Sequence, residues 1–140
     1  MACGKKLLVS ERVLCSDCLS QLPFTHLGNT PGNEMEKIFW GRFPLVRASS
    51  LLYYSRGGKV AHILAGMKYY GRQQVCRHMG EMLAYELQPS GFFEGVDYLL
   101  PVPLHPGRLR TRGYNQSLLL VEGISRLTGI PVCDGLLQRV

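Results

Sequence analysis

Apolar residues recur with two different periods along this chain. In residues 59–67, Val60, Ile63, Leu64 and Met67 fall three or four apart, which predicts a short helix with one apolar face. Residues 72–87 repeat the signal: Val75, Met79, Met82 and Leu83 form a core-facing stripe, and Arg72, Arg77, Glu81 and Glu86 read as its solvated face. Residues 115–127 predict a third helix with Leu120, Ile124 and Leu127 on one face, Gly129 at the cap position and Pro131 just beyond. Between these lie short apolar runs that read as strands, at 45–54, 96–102 and 130–133, with a further one in the last residues. Strands alternating with helices predict an α/β fold, a parallel sheet covered by helices. The sheet is small for an open domain and the pattern stops in mid-course, so the C-terminal half of the sheet is expected beyond Val140.

Breakers divide the chain. Pro23, Gly28, Pro31, Gly32, Gly41 and Pro44 crowd residues 23–44, which read as an irregular linker docked onto the main body through Trp40 and Phe43. The expected organisation is a cysteine unit at 1–22, the linker at 23–44 and the main α/β domain at 45–140.

Composition narrows the class. With 140 residues and 46% hydrophobic content, the chain can bury a core and is not of disordered type. No apolar run approaches the roughly 18–20 residues that a membrane span needs. The N-terminus lacks a secretory pattern, so a cytoplasmic location is expected. In that compartment the five cysteines read as thiols or metal ligands rather than disulfides. A formal charge of +6 fits phosphate-bearing ligands or nucleic acid without requiring either.

The strongest chemical signal is residues 99–116, LLPVPLHPGRLRTRGYNQ. Arg108, Arg110 and Arg112 sit in a loop expected between a strand and a helix, with no acidic residue between Asp97 and Glu122. Three guanidiniums where a strand hands over to a helix suit an anion. Asn115 and Gln116 open the following helix, where Asn115 serves either as its cap or as a phosphate contact. His105 beside the loop reads as structural. Lys68, Tyr69 and Tyr70 either form a core edge or stack and pair with a nucleotide or single strand.

The second signal is cysteine spacing. Cys15-Ser-Asp-Cys18 is a knuckle, and Cys3-Gly4 resembles the closing half of another; thiolates on tight turns can reach one tetrahedral zinc. A fourth ligand would be a cysteine three positions before Cys3, ahead of Met1, or His26; a site with no metal, and a redox dithiol at Cys15 and Cys18, remain alternatives. Cys76 and Cys133 read as buried, inert thiols.

The cysteine unit, Lys68-Tyr69-Tyr70-Gly71, the Pro-Val-Pro-Leu of 101–104 and the R-x-x-x-R-G-Y-N-Q of 108–116 together resemble the ComF family, also called GntX-like or amidophosphoribosyltransferase-like, associated with DNA uptake in competent bacteria. The resemblance covers nearly the whole chain and is most specific at 101–116. It implies a type I phosphoribosyltransferase fold behind an N-terminal zinc ribbon. It also implies a pyrophosphate site at Arg108, Arg110, Arg112, Asn115 and Gln116, and phosphoribosyl pyrophosphate or another polyphosphate as ligand, with Mg²⁺. Single-stranded DNA and a competence helicase are the partners it suggests. The acidic-Thr-Gly turn that binds ribose 5-phosphate in such folds does not occur in residues 1–140. Its absence leaves open a non-enzymatic single-stranded DNA-binding module.

Overall fold

Two long helices, packed through facing glycines, carry the centre of the structure. The computed structural model describes residues 2–139. Its helices are α1 (Ser16–Ser20), α2 (Glu34–Phe39), α3 (Lys59–Tyr69), α4 (Gln73–Leu87), α5 (Pro106–Arg112) and α6 (Gln116–Thr128), with 3-10 turns at Leu27–Asn29 and Gln88–Ser90. Along α4, Val75, Cys76, Met79, Gly80, Ala84 and Leu87 are buried, the 3.6-residue repeat anticipated for that segment. On α6 the buried positions are Leu119, Val121, Gly123 and Ile124, whereas Leu127 is exposed, so the inward face is rotated from the one expected. The rotation follows from the contact itself. Gly80 faces the Leu120 carbonyl and Gly123 faces the Arg77 carbonyl, and only a residue without Cβ permits backbones so close. Gly129 ends α6 in the left-handed conformation, as its position predicts.

The expected parallel sheet is not formed: among the described residues there are no strands, only two isolated bridges. Leu99 pairs in parallel with Val132 through Leu99 N–H to Pro131 O (2.9 Å) and Cys133 N–H to Leu99 O (2.9 Å). The ladder cannot extend, because Pro101, Pro103 and Pro131 have no N–H to give. At Val102 the N–H goes to Ser117 Oγ (2.9 Å) and the carbonyl accepts from Asn115 Nδ2 (3.0 Å). Residues 45–54 fail for a related reason. Their groups are taken by side chains: Ala48 N–H donates to Glu36, and Asn33 and Thr25 donate to the Ala48 and Ser50 carbonyls. One antiparallel bridge, Phe24 to Leu52, is all that remains. The α/β, type I phosphoribosyltransferase-like architecture is therefore corrected to a helical one. Residues 136–139, also expected as a strand, make none, and Val140 lies outside the described residues.

The cysteine unit is not set apart. Val13, Leu14 and Leu22 share one buried cluster with Ile63 and Met67 of α3, Val75, Cys76 and Met79 of α4, and Tyr114 and Leu119. On the other side Ala84, Val121 and Ile124 pack against Leu99 and Val132, so the single bridge closes a second cluster. Trp40 and Phe43, expected to dock the linker, are instead 60% and 63% exposed. Among the described residues no helix is long and apolar enough to cross a membrane.

Candidate functional site: a basic cleft between α3 and α5

Helix α3 runs two residues beyond its expected end, which places Lys68 and Tyr69 on its last turn, and Gly71 follows at φ +63°. Across from them the expected arginine loop is a helix, α5, started by Pro106 and stopped by Gly113 at φ +82°. Tyr114 ties the two together: it is buried, and its hydroxyl donates to the Met67 carbonyl at 2.6 Å.

The helix re-sorts the arginines. Side chains four apart share a helix face and those two apart do not. Arg108 and Arg112 accordingly line a cleft of about 600 Å³ with Lys68, Tyr69, Gly71, His105, Gly107 and Thr111, and Arg110 is not among its walls. An adjoining hollow of about 180 Å³ shares Lys68, Tyr69, Arg108 and Arg112 and adds Asn115, Gln116, Ser117 and Arg139. Neither space is lined by Asp or Glu, and among the described residues Lys68, Arg108 and Arg112 join no ion pair. Cations gathered without a counter-charge raise the local potential, and an incoming anion relieves it.

The other candidates are more constrained. Arg112 lies over the Tyr69 ring, 5.7 Å from its centroid, and donates to Gln116 Oε1 at 2.6 Å, so that guanidinium is held in place and Gln116 is committed. Asn115 is the cap: its Oδ1 accepts from Ser117 N–H at 3.0 Å, and its Nδ2 is spent on Val102. His105 is structural in the sense expected, since its Nδ1 accepts the Gly107 N–H at 3.1 Å and starts α5; its Nε2 remains for a ligand. Tyr69 and Tyr70 are exposed rather than a core edge, and only Tyr69 lines the cleft.

The three cysteines converge. The sulfurs of Cys3, Cys15 and Cys18 lie within 4.8 Å of one another, with Cys3 and Cys15 at 3.5 Å, and the group can hold a metal ion. Zinc–thiolate bonds of about 2.3 Å at tetrahedral angles put sulfurs about 3.8 Å apart, close to this spacing. Cys15 stands at the start of α1, which carries Cys18 into the interior. A backbone hydrogen bond at Lys5, then the Cys15 and Cys18 thiols, lower Cys3 to about 7, while burial, then the Cys15 and Cys3 thiols, push Cys18 up to about 11. His26 is not a fourth ligand: it stacks on Phe24 and pairs with Glu86 of α4. Cys76 is buried, which raises its thiol to about 11, and Cys133 is only half-buried.

The chain matches no family model, no curated protein and no solved structure.

Proposed function

We propose that this chain is a ComF-like protein that binds a small phosphorylated ligand of the phosphoribosyl pyrophosphate class in the cleft between α3 and α5, with structural zinc at Cys3, Cys15 and Cys18. The observation that carries the reading is the acid-free convergence of Lys68, Arg108 and Arg112. Two arginines one helical turn apart can each fork onto phosphate oxygens, and charge-assisted bonds of this kind contribute about 1.5–3 kcal/mol each. The cleft volume of about 600 Å³ sits within the roughly 300–1,000 Å³ of small-molecule sites. Arg139 and the Asn115–Ser117 end of α6 border the adjoining hollow, which leaves room for a second charged part of the ligand. The proposal is one of binding: transfer to an acceptor would also need a ribose-phosphate loop, which residues 1–140 do not contain.

Exposed Tyr69 beside these cations favours a second reading, single-stranded DNA stacked on the ring. Titration calorimetry separates the two. Phosphoribosyl pyrophosphate with Mg²⁺ is expected to bind and to raise the melting temperature by mass action. Absence of heat and of any shift at millimolar ligand would overturn the small-ligand reading. A single-strand affinity falling with log salt at about −0.7 per phosphate contact would put the DNA reading in its place. Metal analysis is expected to give one zinc per chain, lost in Cys15→Ser.

A further inference from the structure

We propose that residues 37–43 form a tip that docks the protein on an anionic lipid bilayer. Residues 37–44 are exposed without interruption, and they include Ile38 (60%), Phe39 (36%), Trp40 (60%) and Phe43 (63%). Such a patch on a loose loop would carry little meaning, but the base of this one is fastened by buried polar groups. Asn33 is 5% exposed; its Oδ1 accepts the Glu36 N–H at 3.0 Å, and its Nδ2 donates to the Leu27 and Ala48 carbonyls at 2.9 and 2.8 Å. Glu36, equally buried, accepts from the Gly32 and Ala48 N–H groups. Arg47 clamps the returning chain to the Gly28 and Ser90 carbonyls and lies over the Phe92 ring. Beyond that base, Arg42 N–H and Phe43 N–H both donate to the Phe39 carbonyl, at 3.0 and 3.1 Å, which folds the tip back on itself. The apolar side chains are thus held outward on a fixed mount.

Size and charge choose the occupant. An aromatic side chain offers about 150–250 Å², so at these exposures the tip presents roughly 400 Å², about half of what one partner buries in a standard protein interface. A bilayer interface demands no such matching area and favours Trp and Phe at headgroup depth with bases beside them. Lys37 and Arg42 supply the bases. Of the two nearby acids, Glu36 is consumed in the mount, and Glu34 sits one turn below Lys37 and Ile38 on α2, which leaves the patch with two bases against one free acid. The net charge of +6 adds attraction to an anionic leaflet.

Trp40 is the chain's single tryptophan, so its emission reports on the tip alone. With phosphatidylcholine–phosphatidylglycerol vesicles a blue shift and co-sedimentation are expected, and with pure phosphatidylcholine neither. Ile38→Ser with Phe43→Ser, which keeps the Trp40 reporter, is expected to weaken vesicle binding at least tenfold with an unchanged circular dichroism spectrum. Arg108→Ala with Arg112→Ala lowers the net charge but leaves the tip whole, and should weaken vesicle binding far less than the tip variant does, which separates lipid docking from the anion cleft. An unshifted Trp40 on anionic vesicles, or binding lost only in the arginine variant, overturns the proposal. A blue shift that grows with protein concentration without vesicles overturns it in favour of a second copy of the chain.

Discussion

Replacing Gly80 with alanine sets two effects of opposite sign against each other. Helix propensity alone favours the change by about 1 kcal/mol, because alanine loses less backbone entropy than glycine. The structure argues otherwise. A Cβ at Gly80 would meet the Leu120 carbonyl carbon at 2.9 Å, with its oxygen closer, and the Gly123 Cα at 3.2 Å, where ordinary contacts begin at 3.4 Å. These are backbone atoms, so no side chain can swing aside, and clearing the Leu120 oxygen requires α4 and α6 to part by about an ångström. That separation loosens Val75, Met79, Ala84, Leu119, Val121 and Ile124 together. Overpacking of this kind costs about 1–3 kcal/mol; with both clusters disturbed we take the upper end, leaving a net loss of about 2 kcal/mol after propensity. For a chain of this length that is a fall in melting temperature of about 6 °C. Gly123→Ala meets the Arg77 carbonyl carbon at 2.9 Å and should behave alike. One separation relieves both clashes, so the double variant should lose less than the sum. Thermal and urea denaturation measure all three. A melting temperature unchanged or raised in Gly80→Ala would refute the close helix crossing.

The remaining predictions concern the cleft and the cysteines. Arg108→Ala and Arg112→Ala should each weaken polyphosphate binding by about tenfold or more, from charge-assisted bonds of about 1.5–3 kcal/mol, whereas Arg110→Ala should change it little; calorimetry that found the three equal would restore the loop picture. Tyr114→Phe removes the donor to the Met67 carbonyl; it should cost about 1 kcal/mol by urea denaturation and lower ligand affinity by freeing the Lys68–Tyr69 turn. In protein stripped of metal by a chelator, Cys3 should alkylate with a midpoint near pH 7, since its lowered value keeps the thiolate down to that pH, while Cys18 at about 11 stays inert. Mass spectrometry after iodoacetamide labelling checks the order, and equal labelling of the two would contradict it.

Periodicity determined from sequence alone that α3, α4 and α6 are helices, because apolar residues three and four apart meet on one side only when the chain coils; which side of α6 turned inward was decided by its glycine contact with α4. The Gly129 stop and the Asn115 start were legible for the same local reason. Cysteine spacing announced the trio that can hold a metal ion, and the lack of acids near residue 108 announced a basic cleft. What sequence could not supply was pairing. The apolar runs at 45–54 and 96–102 look like strands, yet a strand exists only when its neighbour's N–H and C=O groups are free. Here prolines 101, 103 and 131 and the side chains of Asn33, Thr25, Asn115 and Ser117 had already taken or removed them. Tertiary structure likewise decided which arginines share a cleft. Once residues 106–112 coil, geometry sends Arg108 and Arg112 into the cleft and turns Arg110 aside. The exposure of Trp40 and Phe43 was equally invisible, since it depends on the Asn33, Glu36 and Arg47 contacts that hold the tip away from the core.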